Sequence, residues 1–533
     1  MARSSWAAGV LLLALLAGCN YPGRPQPYGP QGQALKQTLD AAVQAGTPGL
    51  PGRATTSPGD PAPQPGYTPG AAPTGAPAAS ANPPALGGTP PPAGDPDWLD
   101  YTTQSGDSLP ALLLRFGVQA QDIDPYRDLP PQGMLPPGMP LRLRRAALNP
   151  AAAAALSGMW VLPDSEVVNS PTALDFDVSA FIQQANGALN RYSERVGQET
   201  LSGAQIVERV AVESSVNPRL LLAWIELRSG WVSGAHAPPR SPRYPLGFAI
   251  ANWEGLYKEL VISATHLNAG YYGWRDGSLL ELALADGSRR RLAPTLNAGT
   301  VGLANLLARV YPTQAEWLAA LSSEDGIAAA YTALFGDAWA RAQALGPLLP
   351  AGLAQPQLAL PFPPGERWSL TGGPHPSWKT GSPRGAIDFA PVTGEPACAV
   401  SRAWALAAAD GVIARSERNV VALDLDGDGR EQTGWVLVYL HLADRERAVD
   451  GLAVRVDDRL GHPSCEGGQV TGTHVHLARK YNGEWLAVQG LAPFVLGGWE
   501  VFAGEKTYQG ELRRAGQVVV ASPVGPATSI IVR

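Results

Sequence analysis

The sequence predicts a multidomain chain: a small α/β module, a mainly α-helical middle region and a β-rich C-terminal domain, all behind a long structureless leader. Three observations carry this. Composition changes near residue 97 from Pro, Gly, Ala, Ser and Thr to a mixed globular texture. Apolar residues then recur at helical spacing through about residues 156–350. Past residue 360, short runs of Val, Leu, Ile, Trp and Tyr alternate with Gly, Asp and Pro turns, the texture of strands. The net charge of −6 on 533 residues is close to balance and gives no electrostatic case for a nucleic-acid partner.

Residues 1–19 read as an export signal. Arg3 supplies the positive end, and the apolar run 10–16 is too short to span a bilayer as a mature helix. Leu16-Ala17-Gly18-Cys19 resembles a bacterial lipoprotein cleavage box, which implies lipidation of Cys19 and an extracytoplasmic protein anchored to a cell membrane. Residues 20–97 bury too little to offset the entropy of ordering and read as a tether, with one short helix expected near residues 34–45.

In residues 98–144, Tyr101-Thr102-Thr103-Gln104-Ser105-Gly106-Asp107-Ser108-Leu109 predicts strand, turn and helix, with Asp107 or Ser108 satisfying free N–H groups of the first turn. Leu109, Leu112, Leu113 and Phe116 give that helix an apolar face. Pro140-Leu141-Arg142-Leu143 reads as a last strand. The segment resembles a LysM module, which implies binding to N-acetylglucosamine glycan chains. The Ala-rich run 146–155 is a linker or a short helix.

Residues 156–350 predict helices carrying Phe176, Phe181 and Ala185, then Ile206, Val207 and Val210, then Leu220, Leu221, Trp224 and Ile225. Gly270-Tyr271-Tyr272-Gly273-Trp274 and Asn297-Ala298-Gly299-Thr300 read as loops. Asn217-Pro218-Arg219 running into Ile225-Glu226-Leu227 resembles the catalytic-helix end of lysozyme-like transglycosylases. That resemblance implies a lysozyme-like domain with Glu226 as a possible second site. A general acid there needs a raised pKa; the plain alternative is a helix-end carboxylate.

Residues 360–500 hold the chemistry. Of seven histidines in the chain, His375, His441, His474 and His476 lie here, with His462 a fifth that has no evident metal role. His474 and His476 are two apart, so on a strand both rings share one face. Asp388, between Ile387 and Phe389, is costly to bury unless paired or bound to metal. Imidazoles plus a carboxylate that leave room for water make a zinc hydrolase the leading reading. Gly372-Gly373-Pro374-His375, Ile387-Asp388-Phe389, Tyr439-Leu440-His441-Leu442 and Gly472-Thr473-His474-Val475-His476 together resemble the lysostaphin-type zinc endopeptidases, specifically their beta-lytic branch, over about a quarter of the chain.

The resemblance implies one zinc ion held by His375, Asp388 and His476, with His441 and His474 assisting catalysis, and a peptidoglycan peptide as substrate. Most of the wider family has histidine four residues before the aspartate; this chain has Arg384 there, and His375, thirteen residues before Asp388, takes its place. Trp378 and Arg384, and more weakly Tyr481, are candidates for the substrate cleft. A non-enzymatic wall-binding protein that positions another hydrolase is the competing reading. Asp424, Asp426 and Asp428 imitate a calcium loop, but Trp435 stands where an EF-hand needs Glu, so an acidic hairpin is expected. With Cys19 lipidated, Cys398 and Cys465 remain in an exported chain and are expected to form a disulfide; free thiols or thiol zinc ligands are the alternatives. Residues 501–533 suggest terminal strands only.

Overall fold

The structure, a computed structural model, describes residues 95–533 apart from 156–157, 237, 240 and 469. The expected signal, Cys19, the helix near residues 34–45 and nearly all of the tether lie outside the described residues. No helix among the described residues is long and apolar enough to cross a membrane.

The N-terminal module is α/β as expected. Strand Trp98–Thr102 pairs with Pro140–Arg144, which also pairs with Ile123–Asp124, and helix Leu109–Phe116 packs on the sheet. Ser108 caps that helix by accepting the Ala111 N–H. Asp107 does a different job: buried, it pairs with Arg115 at 2.7 Å and accepts the Tyr101 hydroxyl at 2.6 Å.

In the middle region the helices Val178–Ala185, Gly203–Ser214 and Pro218–Ser229 fall where the apolar spacing puts them. Two expected loops are helical instead. Residues 270–274 lie inside helix Leu256–Arg275, and residues 298–300 begin helix Ala298–Leu307. Gly270 explains both. A Cβ there would lie 2.7 Å from Asn305 Cβ and from the Val301 carbonyl, so glycine is where two helices cross closely, not where one stops.

The C-terminal domain is built on a nine-stranded sheet whose neighbours all pair antiparallel. Its central strands are Val420–Asp424, Trp435–Leu440, Val475–Tyr481, Arg384–Pro391 and Arg367–Pro376, in that spatial order. The last strand, Ile530–Val532, closes the edge beside Arg367–Pro376, so the expected boundary at residue 500 does not divide the domain. Cys398 and Cys465, 67 residues apart, form a disulfide. Asp424 accepts the N–H groups of Asp426 and Gly429 in the connection after its strand, the acidic turn the sequence suggests.

Strand alternation sorts the sheet into two faces. Ile387, Phe389, Val421, Leu437, Val475 and Leu477 pack into the core of the β domain. Ala386, Val420, Ala422, Val436, Val438, Leu440 and Ala478 pack into the core of the helical region. The helices therefore lie directly on one face of the sheet. Arg275, at the end of helix Leu256–Arg275, ties the three parts together: it pairs with Asp164 and with Glu484, each at 2.9 Å, and donates to the Ser105 carbonyl.

Two outcomes follow from buried charge. Arg275→Ala leaves Asp164 and Glu484 buried without their cation and should lower stability by about 3–5 kcal/mol in urea unfolding; a loss below about 1 kcal/mol would contradict the hub. Glu431 is buried between Arg415 and Lys480. Burial alone raises its pKa, but the two cations outweigh it and hold the group at about 2. A depressed carboxylate contributes stability above its unfolded pKa and loses it as pH falls toward the folded value. The stability difference between pH 7 and pH 3 should therefore shrink in Glu431→Gln.

Candidate metal centre

Asp388 and His476 are directly opposite each other on adjacent strands, and His375 sits one strand further on, opposite Ala386. Asp388 shares its face with Ala386, and His476 with Ala478, so the site opens on the sheet face that carries the helices. Two glycines make this geometry possible. A Cβ at Gly372 would lie 2.2 Å from Asp388 Oδ2, and one at Gly373 would lie 2.6 Å from the Gln509 backbone.

The hydrogen bonds fix the ring tautomers, because a carbonyl only accepts. His375 donates from Nδ1 to the Gly373 carbonyl at 2.9 Å, which leaves Nε2 as a lone pair. His476 donates from Nε2 to the Ser377 carbonyl at 3.0 Å, which leaves Nδ1 as a lone pair. These two free nitrogens are 2.9 Å apart and lie 3.3 and 3.4 Å from Asp388 Oδ1, which is buried and accepts no hydrogen bond among the described residues. The three acceptors thus converge with no donor between them. Their separations are close to the about 3.3 Å edge of a tetrahedron with ligand bonds of about 2.0–2.1 Å, so the set fits a zinc-sized cation.

The second histidine pair lies alongside. His474 precedes strand Val475–Tyr481 rather than lying in it, and bridges to Ser464. It donates from Nδ1 to the Gly472 carbonyl at 2.8 Å and turns Nε2 to within 3.8 Å of Asp388 Oδ1. His441 follows strand Trp435–Leu440 at φ +66°, a conformation rare outside glycine, and donates from Nδ1 to the Glu466 carbonyl at 2.8 Å. The two ring centroids are 4.7 Å apart, and neither Nε2 makes a hydrogen bond among the described residues. Burial holds His441 at about 3, so it is a neutral acceptor. Cys465 adjoins both Ser464 and Glu466, so the disulfide braces the segment that orients this pair.

The other expected site residues have partners of their own. Arg384 is spent on the Pro374, Gly504 and Lys506 carbonyls, because the C-terminal loop folds back on it. Tyr481 is at the far end of the His476 strand, edge-on to Trp435. Trp378 stacks with Trp485 beneath the helices, 6.4 Å between centroids. Glu226 is buried and accepts the N–H groups of Val232, Ser233, Ala235 and His236; burial raises its pKa, but these donors hold it lowered, the reverse of what a general acid needs. His462 is likewise structural, between the Ala403 carbonyl and Glu446.

One residue at the centre was missed. Tyr508 stacks on His375 at 4.3 Å with planes 18° apart, and its carbonyl accepts the Gly373 N–H at 2.9 Å. No local pattern marks it; only the folding of the C-terminal hairpin onto the His375 strand brings it there.

Residues 160–348 match the family model "LasA, N-terminal domain". The chain is similar to Protease LasA of Pseudomonas aeruginosa. It is 26% identical to that of strain ATCC 15692 over 362 residues, which is 63% of this chain and 78% of that protein, and 26% identical to that of strain UCBPP-PA14 over 359 residues. Among solved structures, the M23 metalloprotease pseudoalterin "from Deep-sea" is 23% identical, covering 31% of this chain and 96% of that one, with a TM-score of 0.27. The catalytic domain of lysostaphin from Staphylococcus simulans is 20% identical, covering 23% and 89%, with a TM-score of 0.17.

Gly372→Ala tests the ligand set without touching a ligand. The added methyl displaces Asp388 and should weaken zinc binding about 10–100-fold in competition with a chelator; unchanged affinity would remove Asp388 from the set.

Proposed function

We propose that this chain is a zinc metalloendopeptidase that hydrolyses peptide bonds of bacterial peptidoglycan, with His375, Asp388 and His476 as metal ligands and His441 and His474 as the proton-transfer pair. The observation that carries it is the donorless convergence of His375 Nε2, His476 Nδ1 and Asp388 Oδ1 beside two further imidazoles. Similarity to Protease LasA over 63% of the chain supports the reaction class.

One zinc ion held there supplies Lewis-acid polarisation of the scissile carbonyl and a more acidic water. The chain's own part is to move protons and exclude solvent. With Nδ1–H of both rings committed to carbonyls, His441 and His474 offer Nε2 to the cleft. One takes the proton of the attacking water, and the other, protonated, donates to the oxyanion. The Gly373 and Ser377 carbonyls hold the ligand rings in the tautomers that leave the metal-facing nitrogens free. Tyr508 fixes the plane of His375.

The same proposal has the mature chain outside the cytoplasm and tied to a membrane through Cys19. Residues 98–144 would be a LysM-like module meeting N-acetylglucosamine glycan, and residues 156–350 a lysozyme-like helical domain.

His441→Ala and His474→Ala should each lower the hydrolysis rate of defined peptidoglycan peptides about 10²–10⁴-fold, while each protein keeps its zinc. Wall binding with no zinc-dependent hydrolysis by the parent protein would instead favour a non-enzymatic role as a wall-binding, hydrolase-positioning protein.

A further inference from the structure

Helix Gly203–Ser214 brings Glu213 onto the metal face of the sheet, where two side chains of the β domain meet it. Lys379 lies in the connection between the His375 and Asp388 strands, and its Nζ is 3.5 Å from Glu213 Oε2. Arg418 lies in the turn between strands Gly411–Glu417 and Val420–Asp424, and its Nε is 3.4 Å from Glu213 Oε1. That turn adjoins the second histidine pair: Asn419 donates to the Leu442 carbonyl and to Glu466, whose own carbonyl orients His441. The two cations thus flank the metal centre, Lys379 on the His375 side and Arg418 on the His441 side.

Interdomain stability does not account for this arrangement. Glu213 already has a partner on its own helix, Arg209, at 2.9 Å, and it accepts the Tyr257 hydroxyl. Lys379 gains little, because its buried ammonium makes no hydrogen bond among the described residues and 3.5 Å is beyond the about 2.7–2.9 Å of a good ammonium–carboxylate contact. Apolar side chains would serve a permanent interface as well or better. Arg418 also pairs with Glu417, but its Nε is aimed at Glu213. On the β-domain side two cations converge here, and the carboxylate between them comes from another part of the chain.

We propose that Lys379 and Arg418 form a carboxylate-recognition subsite of the cleft, and that Glu213 occupies it in place of a carboxylate of the substrate peptide. The substrate class is then a wall peptide with a free carboxylate near the scissile bond, bound when Glu213 withdraws. This rests on the hydrolase reading above.

The test uses the full zinc-loaded chain and one synthetic wall peptide prepared with a free carboxylate and with that carboxylate amidated. kcat/KM should favour the free acid about tenfold or more. Lys379→Gln and Arg418→Gln should each remove most of that preference. Glu213→Gln should tighten binding of the free acid, followed by tryptophan fluorescence, more than binding of the amide. Hydrolysis with no preference, or a preference that survives in the Lys379→Gln/Arg418→Gln double variant, overturns the subsite and leaves the hydrolase reading standing. Carboxylate-dependent binding with no hydrolysis by any protein supports the subsite and overturns the hydrolase reading. Equal binding of both peptides to Glu213→Gln overturns the subsite. Should Glu213→Gln fail to fold by near-ultraviolet circular dichroism, the Lys379 and Arg418 variants decide alone.

Discussion

Three buried acceptors that face one another with no donor between them are the constraint on which this fold turns. His375 Nε2, His476 Nδ1 and Asp388 Oδ1 lie within 3.4 Å of one another. Removing a carboxylate from water is costly, and an unsatisfied one costs more. The surroundings are arranged to keep the acceptors free rather than to satisfy them: the Gly373 and Ser377 carbonyls take the opposite ring protons, and Gly372 leaves no side chain between the aspartate and its strand neighbour. A fold that needed only a stable sheet would place apolar residues at these positions.

The same face of the sheet carries the helices, and this sets how the parts relate. The β domain presents small apolar residues, Ala386, Ala422 and Ala478 among them, on which the helices pack closely. Arg275, Glu484 and Asp164 join the three parts through one buried ion cluster. The helical region thus shares its own core with one face of the sheet, the face on which the metal centre lies.

Much of the site was legible in the sequence because its chemistry is carried by rare residues. Four histidines and one aspartate in or beside apolar strands stand out against a chain with few histidines, and their order resembles a known family. The paired cysteines were legible by count. What could not be read was anything that depends on the packing of one part against another. Gly270 looks like a helix breaker until the helix crossing it is known. Arg384 looks like a free cation until residues 504–506 fold over it. Tyr508 has no pattern at all. Glu226 resembles a catalytic acid in its helix, but its four N–H donors come from the following loop, whose path the sequence does not reveal.

X-ray absorption at the zinc edge of the full chain, purified without added metal, tests the central claim most directly. The account expects one zinc per chain with imidazole nitrogen and carboxylate oxygen at about 2.0–2.2 Å, and loss of that signal in Asp388→Ala. Absence of zinc, or sulfur scattering at about 2.3 Å from opened Cys398 and Cys465 thiolates, would contradict it.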